Sequence, residues 1–266
     1  MPEARVTSAD SLALPELAAL FNEGFSDYLV PMRLSDDHFA DHVKNNDIDL
    51  SCSQVVLADD EPAAFALVGL RGEDAWIGGM GTVPSQRRRG LGERALVATI
   101  EEASARGASS VWLEVIDRNE AALRLYEKLG FELVRDLIVW SLSATDEELP
   151  PFREVDVEEA HAWISEHRQS REPWQRSDEA LRHMGGLRAL MVENAAAVMF
   201  REGDAANIVM QIAATDEEAV ADALIAAAGE RQLRLSNAPA GEAASHALER
   251  LGATQEAWQH EMRLAL

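Results

Sequence analysis

The chain has a single cysteine, Cys52, among 266 residues, so no disulfide can form within it and no cluster of thiolate metal ligands is available. Lysine is nearly as scarce, with Lys44 and Lys128 alone, and arginine carries the rest of the positive charge. Against 24 basic residues stand 47 acidic ones, a formal net charge of −23. That balance excludes nucleic acid as an expected partner and disfavours an anionic membrane surface. It attracts cationic amines and favours solubility. No run approaches the roughly 18 apolar residues of a membrane span. Residues 1–20 carry acids and prolines where a secretory signal needs a basic start and an unbroken apolar stretch. A cytoplasmic setting is expected. Among the histidines only His38 and His42 stand close, at i,i+4 without the glutamate of the zinc-protease motif. They are read as a solvated helix face, and no metal is expected.

What is present is periodic structure in a definite order. Leu12 to Glu23 has helical spacing, and Ser35 is placed to cap a second helix through Val43, with Asp36 and Asp37 in its first turn. Strands are predicted at Gln54 to Ala58, Ala63 to Leu70 and Ala75 to Val83, the first two joined by a turn at 59–62. A long helix from about Gly92 to Arg106, a strand at Ser110 to Ile116, a helix at Glu120 to Leu129 and a strand from Phe131 to Leu142 follow. The order αα-βββ-α-β-α-β is an α+β pattern. At 144–151 the text turns polar and ends in two prolines, so the domain boundary is placed there: residues 1–145 and 151–266.

The second part repeats the first. Pro31-x-x-x-Ser35-Asp36-Asp37 recurs as Pro173-x-x-x-Ser177-Asp178-Glu179, an offset of 142. Glu127-Lys-Leu-Gly130 and Trp140-Ser-Leu142 recur as Glu249-Arg-Leu-Gly252 and Met262-Arg-Leu264, at an offset of 122. Shared order argues for a duplicated fold.

The most informative stretch is Thr82-Val-Pro84-Ser-Gln-Arg87-Arg88-Arg89-Gly90-Leu91-Gly92-Glu93, between a strand and a long helix. Two glycines permit positive φ and close backbone approach, and the first helical N–H groups point outward without helical partners. Such a helix start binds phosphate. Three arginines beside it suit a ligand carrying several phosphates. Gly90-x-Gly92-x-x-Ala95, with Glu114 22 residues beyond Gly92, also fits a dinucleotide fingerprint. Against that stand the six residues Pro84 to Arg89 between strand and glycines, and the absence of an earlier strand-helix alternation.

Arg87-x-x-Gly90-x-Gly92, with Pro84 three residues before the arginine, resembles the cofactor motif of the GCN5-related N-acetyltransferase (GNAT) superfamily. The second motif of that superfamily is matched by Asn119-x-x-Ala122-x-x-x-Tyr126-x-x-x-Gly130-Phe131. The resemblance implies a GNAT-type mixed, splayed sheet flanked by helices, and acetyl-CoA as cosubstrate. It implies that backbone groups from Arg88 to Glu93 hold the pyrophosphate, Asn119 touches the cofactor arm, and Tyr126 lies near its sulfur. An N–H among Met80, Gly81 and Thr82 would face the thioester oxygen, and Gly78, Gly79 and Gly81 favour close approach, with a simple bulge as their plain alternative. Asn119 and Tyr126 are two helical turns apart and share a side. A phenol there can protonate a departing thiolate, so Tyr126 is the expected general acid. Core packing for Tyr126 and a helix cap for Asn119 are the plain alternatives.

The general base is not singled out. Glu114 shares a strand face with Trp112 and Ile116 and is the first candidate; an exposed sheet-face glutamate is the plainer assignment. Phe25, Asp27 and Tyr28 lie in the connector between the first two helices, expected on the acceptor side, where Asp27 and Tyr28 form a second candidate pair. The strand before the loop lacks the glutamate that relatives often have there. In the second half the loop position reads Ala214-Thr215-Asp216-Glu217-Glu218, acids that oppose phosphate, and Leu248 stands where Tyr126 should. That half is expected to be non-catalytic, shaping the acceptor cleft or an interface, with a homodimer one arrangement open to it. The leading expectation is transfer of acetyl from acetyl-CoA to a small, cationic amine by direct attack. A CoA-liganded, non-catalytic sensor is the alternative from another class.

Overall fold

A computed structural model describes residues 4–28, 32–144 and 149–266. Pro31 of the repeated motif, and residues 145–148 of the expected linker, lie outside the described residues. The chain divides into two units, residues 1–134 with 261–266, and residues 135–260.

The first unit begins with β1 (Ala4–Ser8), followed by α1 (Leu14–Gly24) and α2 (Asp36–Asn45). The Ala13 N–H donates to Glu16 Oε2 at 2.9 Å, and Pro15 sits in the first turn of α1. Ser35 Oγ accepts from the His38 N–H at 3.2 Å and caps α2. Strands β2 (Gln54–Ala58), β3 (Glu61–Arg71) and β4 (Asp74–Thr82) form an antiparallel meander. Asp59 and Asp60 take φ of 55° and 65° between β2 and β3, the left-handed pair of a two-residue hairpin turn. Helix α3 (Leu91–Ala105), β5 (Ser110–Ile116) and α4 (Glu120–Lys128) follow.

β3 reads as an unbroken apolar run because both its faces are covered. Phe65 and Leu67 pack with Leu17, Phe21 and Phe39 of α1 and α2. Ala64 and Ala66 face the other way, against Leu91 and Ala95 of α3, where small side chains let the helix lie close.

The decisive feature of this sheet is where it opens. β4 and β5 run parallel, and their ladder pairs only Asp74 with Ser110, Ala75 with Val111 and Trp76 with Trp112. Both strands continue, to Thr82 and Ile116, without further pairing to each other. Immediately past the last pair, Gly78 bulges out of the β3 ladder, since Val68 pairs with Ile77 and Leu67 with Gly79. The splay expected between these strands is present.

The second unit contains β7 (Phe152–Val155), α5 (Val157–His167), α6 (Asp178–His183), β8 (Leu187–Val192), β9 (Ala196–Glu202), β10 (Ala206–Ala214), α7 (Glu217–Ala228), β11 (Gln232–Pro239) and α8 (Ala243–Arg250). This is the element order of the first unit again, β-αα-βββ-α-β-α. Even the opening recurs: β10 pairs with β11 only from Ala206 to Val209, and a register shift at Met210 follows.

The boundary differs from the one placed at 144–151. Most of β6 (Glu132–Leu142) belongs to the second unit, where Leu142, Ser141 and Trp140 pair with Leu233, Arg234 and Leu235 of β11. The end of β12 (Thr254–Ala265) belongs to the first, where Met262 joins a core with Tyr126 and Phe131. Most of β6 thus groups with the second unit and the end of β12 with the first, a division that the apolar pattern of either strand does not reveal. β1 and β7 were also not anticipated; each is short, and none of their positions is buried.

Candidate active site

The glycine loop closes onto α3 with two left-handed residues, Arg88 at φ 61° and Gly90 at φ 75°. They flank Arg89, a backbone alternation that turns successive N–H groups to one side. The first helical bond runs from the Arg94 N–H to the Gly90 oxygen at 3.0 Å, so the N–H groups of Leu91, Gly92 and Glu93 precede it. Gly90 brings no side chain to cap them. A side chain at Gly90 would meet nothing within 4 Å, so its role is conformational. At Gly92 a Cβ would lie 2.8 Å from Thr82 Oγ1 and 3.1 Å from Met80 Cε, so that glycine sets how closely α3 approaches β4.

Arg87 does not project freely toward this helix start. Its Nη1 and Nη2 donate to Asp27 Oδ2 and Oδ1 at 2.7 and 2.6 Å, and its Nη2 and Nε reach the Gly24 and Thr82 carbonyl oxygens, each at 3.2 Å. The hydrogen bonds from Arg87 hold the Asp27 carboxyl below its usual range, so Asp27 is a poor base. Arg88 and Arg89 are exposed, Arg89 bonding to Gln86. Glu93 pairs with Lys128 of α4 at 2.5 Å, tying the two motif helices together.

Tyr126 is buried, its ring against Phe131 and its hydroxyl donating to Met80 Sδ at 3.8 Å. Burial first, and then the neighbouring Tyr28, push its pKa well up, so the phenol keeps its proton. Met80 thus touches both motifs, with its methyl near Gly92 and its sulfur near Tyr126. Asn119 Oδ1 accepts from the Ala122 N–H at 3.3 Å and caps α4. Its side chain also bonds Tyr28, whose ring stands edge-on to Phe25 at 5.1 Å. Burial raises the Tyr28 pKa, and the Asn119 bond works against that rise.

Glu114 is half-buried, not an exposed sheet-face residue. It lies two residues past the last β4–β5 pair, and its Oε2 accepts from Trp76 Nε1 at 2.8 Å. His42 corrects the solvated-face reading of the histidine pair: His38 is exposed, but His42 packs against Phe21 and Trp76. His42 Nε2 meets the Gly78 oxygen at 3.0 Å, and Asn46 Nδ2 meets Nδ1 at 3.2 Å. A carbonyl only accepts and an amide NH2 only donates, so the ring is neutral with its proton on Nε2. Burial lowers its pKa, with the Gly78 bond opposing. Trp76 and His42 were absent from the sequence-derived site; the spacing Trp76-x-Gly78 was the one available signal. Among the described residues no group of His, Cys, Asp or Glu is arranged to hold a metal, and no helix is long and apolar enough to cross a membrane.

In the second unit the corresponding positions are satisfied from within. Asp216 Oδ1 accepts from the Glu218 and Ala219 N–H groups at 3.1 and 3.0 Å, capping α7 where α3 is left open. Gln169 Oε1 accepts from the Ala243 N–H at 3.1 Å at the start of α8. A small pocket of about 30 Å³ lies beside it, lined by Arg168, Glu172 and Glu242 among others.

A parallel strand pair that parts after three residues, with a glycine-led helix on one strand and a tyrosine-bearing helix on the other, defines a GNAT-type domain. Residues 14–131 match the acetyltransferase (GNAT) family. β4, α3 and β5 form one βαβ unit, but Pro84 to Arg89 separate β4 from Gly90 and β4 enters from antiparallel β3, not from an earlier strand-helix unit, which tells against the dinucleotide alternative. A GCN5-related N-acetyltransferase from Sphaerobacter thermophilus shares the fold at a TM-score of 0.74 and 19% identity, over 98% of this chain and 95% of that one. A tandem GNAT protein from the clavulanic acid biosynthesis pathway does so at 0.68 and 12%, over 99% and 98%. The [ribosomal protein bS18]-alanine N-acetyltransferase of Salmonella typhimurium is 43% identical over 74 residues, 28% of this chain and 50% of the relative. The chain spans about half the length of the curated relatives it matches.

Proposed function

We propose that the chain is an acetyl-CoA-dependent N-acetyltransferase that acts through its first unit. The observation that carries this reading is the convergence on Met80, at the mouth of the wedge, of the uncapped α3 start and the protonated Tyr126. The N–H groups of Leu91 to Glu93 and the exposed Arg88 and Arg89 suit the cofactor's phosphates. β4 has parted from β5 before Met80, Gly81 and Thr82, so the N–H groups there that face away from β3 are available to the pantetheine arm and to the thioester oxygen. The amine nitrogen attacks the thioester carbon, the C–S bond breaks, and the departing thiolate takes the Tyr126 proton. Glu114 takes the proton lost by the attacking nitrogen.

The acceptor is an amine. The chain's acidity favours a small cationic one, while the relatives named for an alanine of ribosomal protein bS18 make an alanine-initiated peptide the other substrate to try. Calorimetry with acetyl-CoA and a thiol-release assay over both kinds of amine test the reading. Tyr126→Phe is expected to bind acetyl-CoA as tightly as the wild type and to lose roughly 10²- to 10⁴-fold in kcat. Absence of acetyl-CoA binding, or binding without turnover of any amine, overturns it.

A further inference from the structure

We propose that Trp76 is the positioning residue of this site: its indole N–H fixes the Glu114 carboxylate at the point where β4 and β5 part, ready for the acceptor's proton. The inference rests on the assignment of Glu114 as base and extends it to a residue outside both motifs.

The geometry builds up from the bulge. Gly78 has no side chain because the Trp76 ring lies against it: a Cβ there would stand 2.5 Å from Trp76 Cζ3 and 3.1 Å from both Trp76 Cε3 and Ile48 Cδ1. His42 holds the other end, bonded to the Gly78 oxygen and packed edge-on to the Trp76 ring with centroids 6.3 Å apart. The indole is thereby clamped, at 3% exposure, with one orientation for its N–H. That N–H crosses to the neighbouring strand and meets Glu114 Oε2 at 2.8 Å. Because the β4–β5 ladder ends at Trp76 and Trp112, Glu114 is the first residue on its face of β5 past that end. Where β5 is no longer paired to β4 the Glu114 carboxylate has several rotamers open to it, and a donor fixed on the facing strand favours one.

The test uses the full chain with whichever amine the panel identifies. Trp76→Phe keeps an aromatic ring and removes the N–H. The expected result is a fall in kcat of roughly 10- to 100-fold, the range of one hydrogen bond to a charged group, with the Kd for acetyl-CoA and the thermal midpoint near wild type. In a Glu114→Gln background the same substitution is expected to cost nothing further, because there is no carboxylate left to position. Full kcat in Trp76→Phe, or an equal loss in both backgrounds, overturns the proposal. Full kcat in Glu114→Gln overturns the base assignment instead, so the two failures are distinguishable. Should Trp76→Phe not fold, the indole N–H resonances decide: one is expected to shift on Glu114→Gln in the otherwise wild-type chain, and an unchanged indole spectrum overturns the proposal.

Discussion

Arg87 grips Asp27 with both terminal nitrogens, at 2.6 and 2.7 Å, and so joins the end of the cofactor strand to the connector that follows α1. The first arginine of the glycine motif is thereby engaged by a carboxylate of its own chain. Asp27→Asn and Arg87→Gln are expected to act alike, raising the acceptor KM and leaving the Kd for acetyl-CoA near wild type. Steady-state kinetics paired with calorimetry checks this. A large loss of acetyl-CoA affinity in Arg87→Gln alone would instead make Arg87 a phosphate ligand.

The two loop glycines fail differently. Gly90→Ala meets open space and pays only for a left-handed φ, about 1–2 kcal/mol, and Gly90→Asn less, since asparagine tolerates that region. Gly92→Val drives a side chain into Thr82 and Met80 and pushes the helix start off β4. Acetyl-CoA titrations should therefore rank wild type, Gly90→Asn, Gly90→Ala and then Gly92→Val, the last losing nearly all binding.

His42 makes the first unit sensitive to acid. Its folded pKa is lowered, chiefly by burial, so the neutral ring's contribution to stability is complete above the unfolded value of about 6.5 and declines as pH falls from there toward the folded value. Urea midpoints at pH 7.5 and pH 5.5 should separate more for the wild type than for His42→Gln, which can still donate to the Gly78 oxygen and does not titrate. Equal separations would mean that His42 is not the group responsible.

The parts of this molecule legible in its sequence are those written in local spacing. Asn119 and Tyr126 lie two helical turns apart and Gly90 and Gly92 two residues apart within their motifs, and the strand at Ser110–Ile116 announced itself by alternation. The capping serines Ser35 and Ser177 marked the same helix in both units. What sequence concealed is long-range. Nothing local in Arg87 distinguishes a partner 60 residues away from a phosphate. Trp76 and Glu114 are 38 residues apart, His42 and Gly78 are 36 apart, and only the sheet brings them together. That most of β6 groups with the second unit and the end of β12 with the first is invisible for the same reason: a strand's pattern states which face is buried, not which neighbour buries it.

The duplicated fold raises the question of how many cofactors one chain binds, and the helix starts answer it. α3 and α7 occupy equivalent places after β4 and β10, yet the leading N–H groups of α3 are uncapped whereas Asp216 caps two of those of α7. An anion approaching α7 would meet that carboxylate and then Glu217 and Glu218 in the same turn, a repulsion that outweighs the helix dipole. The Ala243 N–H, at the start of the counterpart of α4, is likewise already bonded to Gln169. Calorimetry should accordingly return one acetyl-CoA per chain, and Gly92→Val should abolish binding altogether instead of unmasking a second, weaker site. A stoichiometry of two would show that the second unit retains a cofactor site built from other residues.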